Sequence, residues 1–140
     1  MFGLSKQTVV NGPVLFVCIE NSSRSVMAEA FANQFGLEAM SAGTFPATQV
    51  NPLVVEVMKE VGIDVSQSKP KNLNEDMIQN AGIVVLTDAS LEKAMPKDLW
   101  KKMRKKTVMW NIADPQGRLI EEVRFLRNEI RENVLRLAGK

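Results

Sequence analysis

Four short apolar runs set the limits on how this chain can fold. VLFVC (14–18), LEAMSAG (37–43), IVVLTD (83–88) and TVMWNI (107–112) each have strand length, and stretches with helical spacing separate them. After the first run, Met27, Ala30, Phe31 and Phe35 recur at three and four residues until Gly36 stops the pattern. The next helical stretch opens with Asn51 at the N-cap and Pro52 at the first helical position, and Gly62 closes it. NLNEDMIQNAG (72–82) and LEKAMP (91–96) predict shorter helices. From about Arg118 to Leu137, a stripe of Val123, Leu126, Ile130, Val134 and Leu137 predicts a long amphipathic helix. The basic run KKMRKK (101–106) reads as a solvated loop ahead of the fourth apolar run. Strands alternating with helices imply parallel pairing through right-handed crossovers, an α/β fold.

The 140 residues have the size of one domain, expected over 13–140 behind an N-terminal lead of residues 1–12. A net charge of +2 is too small to predict nucleic-acid binding, though it suits a small anionic substrate. No apolar run approaches membrane-spanning length, so no membrane partner is expected. The chain has no histidine, no tyrosine and one cysteine. That excludes an internal disulfide, a Cys-His or Ser-His catalytic pair and a Cys/His zinc site. With no secretory signal in view, a reducing, cytoplasmic location is expected. Acid–base work is left to Asp, Glu or Lys.

The single thiol lies in FVCIENSSRS (16–25), at the end of the first predicted strand and just before the first helix. In an open parallel sheet, ligands bind beyond the carboxyl ends of the strands. Residues Ile19, Glu20, Asn21, Ser22 and Ser23 would wrap into a loop with inward-pointing N–H groups, backed by a helix N-terminus. Such a nest holds a tetrahedral oxyanion, and Arg24 can add a two-pronged contact. The same donors, with Ser25, would stabilise a thiolate on Cys18. The plainer alternative is a buried cysteine that acts as a small hydrophobe at a strand end. A second candidate is Asp114 in ADP (113–115), which follows the fourth strand and could protonate a leaving oxygen; a simple Asp-Pro turn would use the same residues.

VCIENSSRSVMAEAF, SAGT (41–44), Asn51-Pro52, VMKEVGIDVS (57–66) and ADP, in that order, resemble the low-molecular-weight protein tyrosine phosphatase family, which includes one class of arsenate reductases. The resemblance implies a three-layer α/β fold in which helices flank a four-stranded parallel sheet of flavodoxin-like order, with a phosphatase-type loop after strand 1. It also implies Cys18 as nucleophile, Arg24 as oxyanion ligand and Asp114 as general acid. SAGTFPATQVNPLVVEVMKEVGIDVSQSKPKNL (41–73) looks most like the reductase branch. Phosphatases of the family usually carry aromatic residues directly after the Asp-Pro, where this chain has Gln116 and Gly117; Trp110, four residues before Asp114, is expected to pack. By the same resemblance Asn21 holds an unusual backbone turn, and Asn21, Glu29, Ser41 and Asp64 match a potassium site of some arsenate reductases. No tightly bound cofactor is implied.

Three departures from the family stand out. The further cysteines of thioredoxin-coupled reductases are absent, so no internal disulfide relay exists. Ser23 stands where phosphatases often have a second cysteine, and Glu20 where many members have glycine. The favoured expectation is arsenate reduction through a Cys18–arsenate adduct resolved by an external small thiol or redoxin. The alternatives are hydrolysis of phosphomonoesters such as phosphotyrosine through a phosphocysteine, and a module that binds oxyanions without turnover.

Overall fold

Val14–Cys18 forms β1, the central strand of the fold, and every one of its residues is buried. A computed structural model describes residues 12–140; all but the last residue of the expected 1–12 lead lies outside them. After β1 come α1 (Arg24–Gln34), β2 (Ala39–Gly43), α2 (Pro52–Glu60), α3 (Glu75–Asn80) and β3 (Ile83–Leu86). Then follow α4 (Leu91–Ala94), α5 (Lys97–Met103), a 3₁₀ turn (Arg104–Lys106), β4 (Thr107–Met109) and α6 (Ile120–Leu137). The sheet is parallel, in the order β2-β1-β3-β4, with helices on both faces. This is the three-layer arrangement that the family resemblance implied.

Both faces of β1 are covered, which is why its sequence is a continuous apolar run. Phe16 points into a core shared with Met27 and Phe31 of α1, Val54 and Met58 of α2, and Ile130 and Val134 of α6. Leu15 and Val17 point the other way, toward Ile78, Leu91 and Met103 of α3, α4 and α5. The five stripe residues of α6 are all buried, and α1 and α2 pack against that helix. Asn51 caps α2 as expected, with its side-chain oxygen accepting from the Leu53 amide at 2.9 Å.

The loop expected over 101–106 is instead the end of α5 and the 3₁₀ turn. Leu99, Trp100 and Met103 give the segment an inward face, and Met103 is fully buried. Lys101 and Lys102 remain exposed, but Lys106 donates to the carbonyls of Ile78 (2.6 Å) and Ala81 (2.7 Å) at the end of α3. The basic residues hid an amphipathic helix. The fourth strand is also shorter than its apolar run, because the chain leaves the sheet at Trp110, whose ring packs 5.7 Å from that of Phe16.

Register fixes the site. Cys18 ends β1 beside Gly43 of β2, and the chain leaves β3 at Thr87 and β4 at Trp110. All four exits lie at the carboxyl edge of the sheet.

Candidate active site

Between Cys18 and Arg24 the chain turns through Ile19–Ser23 to enter α1. The turn requires Asn21 at φ 51°, a left-handed conformation that asparagine tolerates better than most side chains. Asn21 is fully buried and its amide is fully used. Its Nδ2 donates to Ser25 Oγ (2.8 Å) and Ser41 Oγ (2.9 Å), and its Oδ1 accepts from the Lys71 amide (2.9 Å). This side chain ties the loop to α1, β2 and the segment after α2.

The neighbouring strand holds the loop by its backbone. Thr44, Phe45 and Ala47 donate in turn to the carbonyls of Cys18 (3.2 Å), Ile19 (2.7 Å) and Glu20 (2.9 Å). Asn51 donates to the carbonyl of Ser22 at 2.9 Å. Gly43 is pressed against the turn so closely that a Cβ there would lie 2.5 Å from the Ile19 oxygen and 2.8 Å from the Asn21 nitrogen. The glycine of SAGT is therefore required by a close backbone approach.

These restraints leave the loop's donors free. Among the described residues, the amides of Glu20, Ser22, Ser23, Arg24 and Ser25 have no protein acceptor. The Asn21 amide instead points to Cys18 Sγ at 3.1 Å. The sulfur also lies 2.8 Å from Ser25 Oγ. Ser25 Oγ accepts from Asn21 and keeps one hydrogen and one lone pair, so it can donate to the sulfur or accept from it. Ser41 Oγ, which accepts from Asn21 as well, donates to Glu29. Donation runs from Asn21 through Ser41 to a carboxylate on one side, and from Asn21 to the Ser25 hydroxyl beside the thiol on the other. The sulfur thus has the Asn21 amide as a donor and the Ser25 hydroxyl within hydrogen-bonding reach.

Arg24 is 4% exposed. Its Nη1 donates to Asp88 Oδ2 (2.9 Å) and to the Ile112 carbonyl (2.9 Å), so the exits of β3 and β4 both grip it. Its Nε is a buried donor with no partner among the described residues. A buried, unmet guanidinium N–H is costly unless an acceptor arrives from outside. Burial pushes the Asp88 carboxyl up, but hydrogen bonds from Ser90 and Arg24 outweigh it and hold Asp88 below the usual aspartate value.

Cys18, Glu20, Ser22 and Arg24 line one cavity of about 380 Å³ with Asn51, Asp114 and Gln116. Asp114 is exposed on the loop after β4. Its Oδ1 accepts from the Gln116 amide (3.0 Å), and Arg118 Nε donates to its carbonyl (2.6 Å). The expected nucleophile, oxyanion ligand and acid are therefore brought to one cleft. Ser22 and Ser23 lie almost buried in the loop wall.

The proposed potassium ligands are only partly gathered. Ser41 and Glu29 are hydrogen-bonded, and Glu29 and Asp64 line a second cavity of about 260 Å³. The side-chain oxygen of Asn21, however, faces Lys71 rather than Ser41. Asp64 accepts from the Ser66 amide at 2.8 Å; hydrogen bonding from Ser66 holds its carboxyl low.

Two contributors had not been picked out from the sequence: Asp88, and the Ile112 carbonyl. Asp88 did carry a signal, as a carboxylate directly after a strand at the ligand-binding edge. Nothing in the sequence marks the carbonyl.

The family model for low molecular weight phosphotyrosine protein phosphatases matches residues 13–140. The chain is 34% identical to an arsenate reductase of Staphylococcus aureus over 124 residues, 84% of this chain and 89% of that one. An arsenate reductase structure from Archaeoglobus fulgidus superposes with a TM-score of 0.71 at 32% identity, covering 91% of this chain and 99% of that one. An arginine phosphatase, YwlE from Geobacillus stearothermophilus, superposes at 0.83 with 29% identity and 92% of each chain covered. With the sheet order, the loop and the match over nearly its whole length in agreement, the chain belongs to the low molecular weight phosphotyrosine protein phosphatase family.

Proposed function

We propose that this enzyme reduces arsenate to arsenite, using Cys18 as nucleophile and a thiol from outside the chain as reductant. The unpartnered Nε of buried Arg24, beside a lone thiol in a cleft of free amides, is the observation that carries the reading. Its similarity to arsenate reductases supports arsenate as the oxyanion.

Arsenate would sit on the loop amides and Arg24, with its arsenic facing Cys18 Sγ. The thiolate attacks arsenic, and Asp114 protonates the departing oxygen, which leaves as water. The sulfur–arsenic(V) adduct holds no reducing electrons by itself. An external thiolate attacks Cys18 Sγ; a sulfur–sulfur bond forms, the sulfur–arsenic bond breaks, and arsenic keeps the electron pair and leaves as arsenite. A second thiol then displaces the first from Cys18. Two thiols become one disulfide for each arsenate reduced. This scheme places the protein in a reducing compartment such as the cytoplasm; no helix among the described residues is long and apolar enough to cross a membrane.

A potassium ion would be held by Glu29, Ser41 and Asp64, whose hard oxygens suit an alkali cation. There it would supply positive charge beside Ser41 and Glu29.

Phosphomonoester hydrolysis is the second reading, favoured by the cleft that Asp114 shares with Cys18. Asp114 would there activate water against a phosphocysteine, and no reductant would be consumed. Incubating the protein with arsenate and a panel of small thiols and redoxins, with Cys18→Ser as control, separates the two. Arsenite formed only by the wild type upholds reduction; aryl phosphate turnover without arsenite with any thiol overturns it.

A further inference from the structure

The charge of the cleft is at odds with its ligand. Its charged lining residues are Glu20, Arg24 and Asp114. Arg24 is already neutralised by Asp88 at 2.9 Å, so among the described residues the carboxylates of Glu20 and Asp114 stand without an ion pair beside a site built for an anion. Asp114 has a use in the reaction as a proton carrier. Glu20 has none. It is half-buried, its carboxylate is 3.5 Å from Ser22 Oγ, and no ion pair holds it among the described residues. Its backbone is pinned by Ala47, so the side chain cannot leave the cleft by a shift of the loop.

A carboxylate at this place disfavours every anion that approaches Cys18, including a thiolate. The substrate oxyanion is compensated by the amides and by Arg24 Nε, whereas the incoming reductant meets no such donors. The penalty vanishes if the reductant brings its own positive charge. Resting on the reductase reading, we propose that Glu20 is a specificity residue that selects a small aminothiol, a thiol with a protonated amine a few bonds from its sulfur, as the resolving reductant. The ammonium rests on the Glu20 carboxylate while the thiolate forms a bond to Cys18 Sγ, the sulfur–arsenic bond breaks and arsenite leaves with the electron pair. A second aminothiol frees Cys18 as the thiolate and departs as the disulfide. Charges about 5 Å apart in a wet cleft give a preference on the order of tenfold.

Cysteamine and 2-mercaptoethanol test this directly, since they differ in an ammonium against a hydroxyl. Arsenite release is measured with each, at equal thiolate concentration, for wild type, Glu20→Gln and Glu20→Lys. In parallel, the rate at which 2-aminoethyl and 2-hydroxyethyl methanethiosulfonate modify Cys18 is measured, which needs no arsenate chemistry. The wild type is expected to prefer the cationic member about tenfold in both assays. The preference should fall below about threefold in Glu20→Gln, invert in Glu20→Lys and shrink with added salt. Equal ratios in wild type and Glu20→Gln overturn the proposal. If no arsenite forms with any thiol, the reductase reading fails and the reductant assignment with it. The thiosulfonate ratios then show whether Glu20 still sorts molecules by charge.

Discussion

Asp88 Oδ2 lies 2.9 Å from Arg24 Nη1, so the exit of β3 sets the pose of a guanidinium that belongs to the loop after β1. Among the described residues Arg24 Nε has no partner. Asp88→Asn keeps the size but loses the charge. It should raise the KM for the oxyanion about tenfold, with a smaller fall in kcat, and cost on the order of 2 kcal/mol of stability. Steady-state kinetics and urea unfolding check both.

The same carboxylate predicts an acid dependence. Asp88 is held below its ordinary value of 3.8, so the folded chain binds this proton more weakly than the unfolded chain does. Its contribution is complete above pH 3.8 and is lost as pH falls through the lower, folded value. Wild type should therefore lose more stability than Asp88→Asn as pH drops through this range, as thermal unfolding at a series of pH values would show.

Gly43→Ala should damage the site without touching any reacting group. Its Cβ would meet backbone atoms at 2.5 and 2.8 Å, and backbone cannot move aside as a flexible side chain could. A loss of about 2–3 kcal/mol is expected, with activity reduced by more than tenfold in whatever protein remains folded. Calorimetry and turnover per folded molecule measure the two effects.

Ser25→Ala removes the hydroxyl 2.8 Å from Cys18 Sγ and leaves one arm of the Asn21 amide unmet. Alkylation of Cys18 by iodoacetamide at pH 7 should slow about tenfold. Ser25→Thr should restore part of the rate, since it returns the hydroxyl.

If Asp114 is the general acid of the proposed reaction, Asp114→Asn should reduce turnover by about 10²–10³-fold while leaving oxyanion binding intact. Rapid-quench detection of the first chemical step, beside equilibrium binding of inorganic phosphate, separates the two roles.

Much of this was legible in the sequence because it rests on local pattern. A five-residue apolar run with both faces covered, Asn51-Pro52 at a helix start and the α6 stripe each declare their own geometry. So did the loop, since Cys18, Asn21 and Arg24 lie within seven residues of chain. What stayed hidden depends on distant contacts. Asp88 is 64 positions from Arg24, and the Ile112 carbonyl 88. In 101–106 the lysines outweighed Met103, and Leu99 and Trp100 lie before that run, so the end of a helix with a narrow apolar face read as a solvated loop. Asn21 was expected to hold the turn, but the direction of its oxygen toward Lys71 is set by a segment 50 residues away.

The backbone bonds from Thr44, Phe45 and Ala47 to the carbonyls of Cys18, Ile19 and Glu20 are made by the chain itself and use none of the loop's own amides. The cradle is thus preorganised: the entropy of shaping it was spent when the chain folded, not when the ligand arrives. Oxyanion affinity then reflects mainly the exchange of water for fixed N–H groups, and the loop should keep one shape through empty, adduct and product states.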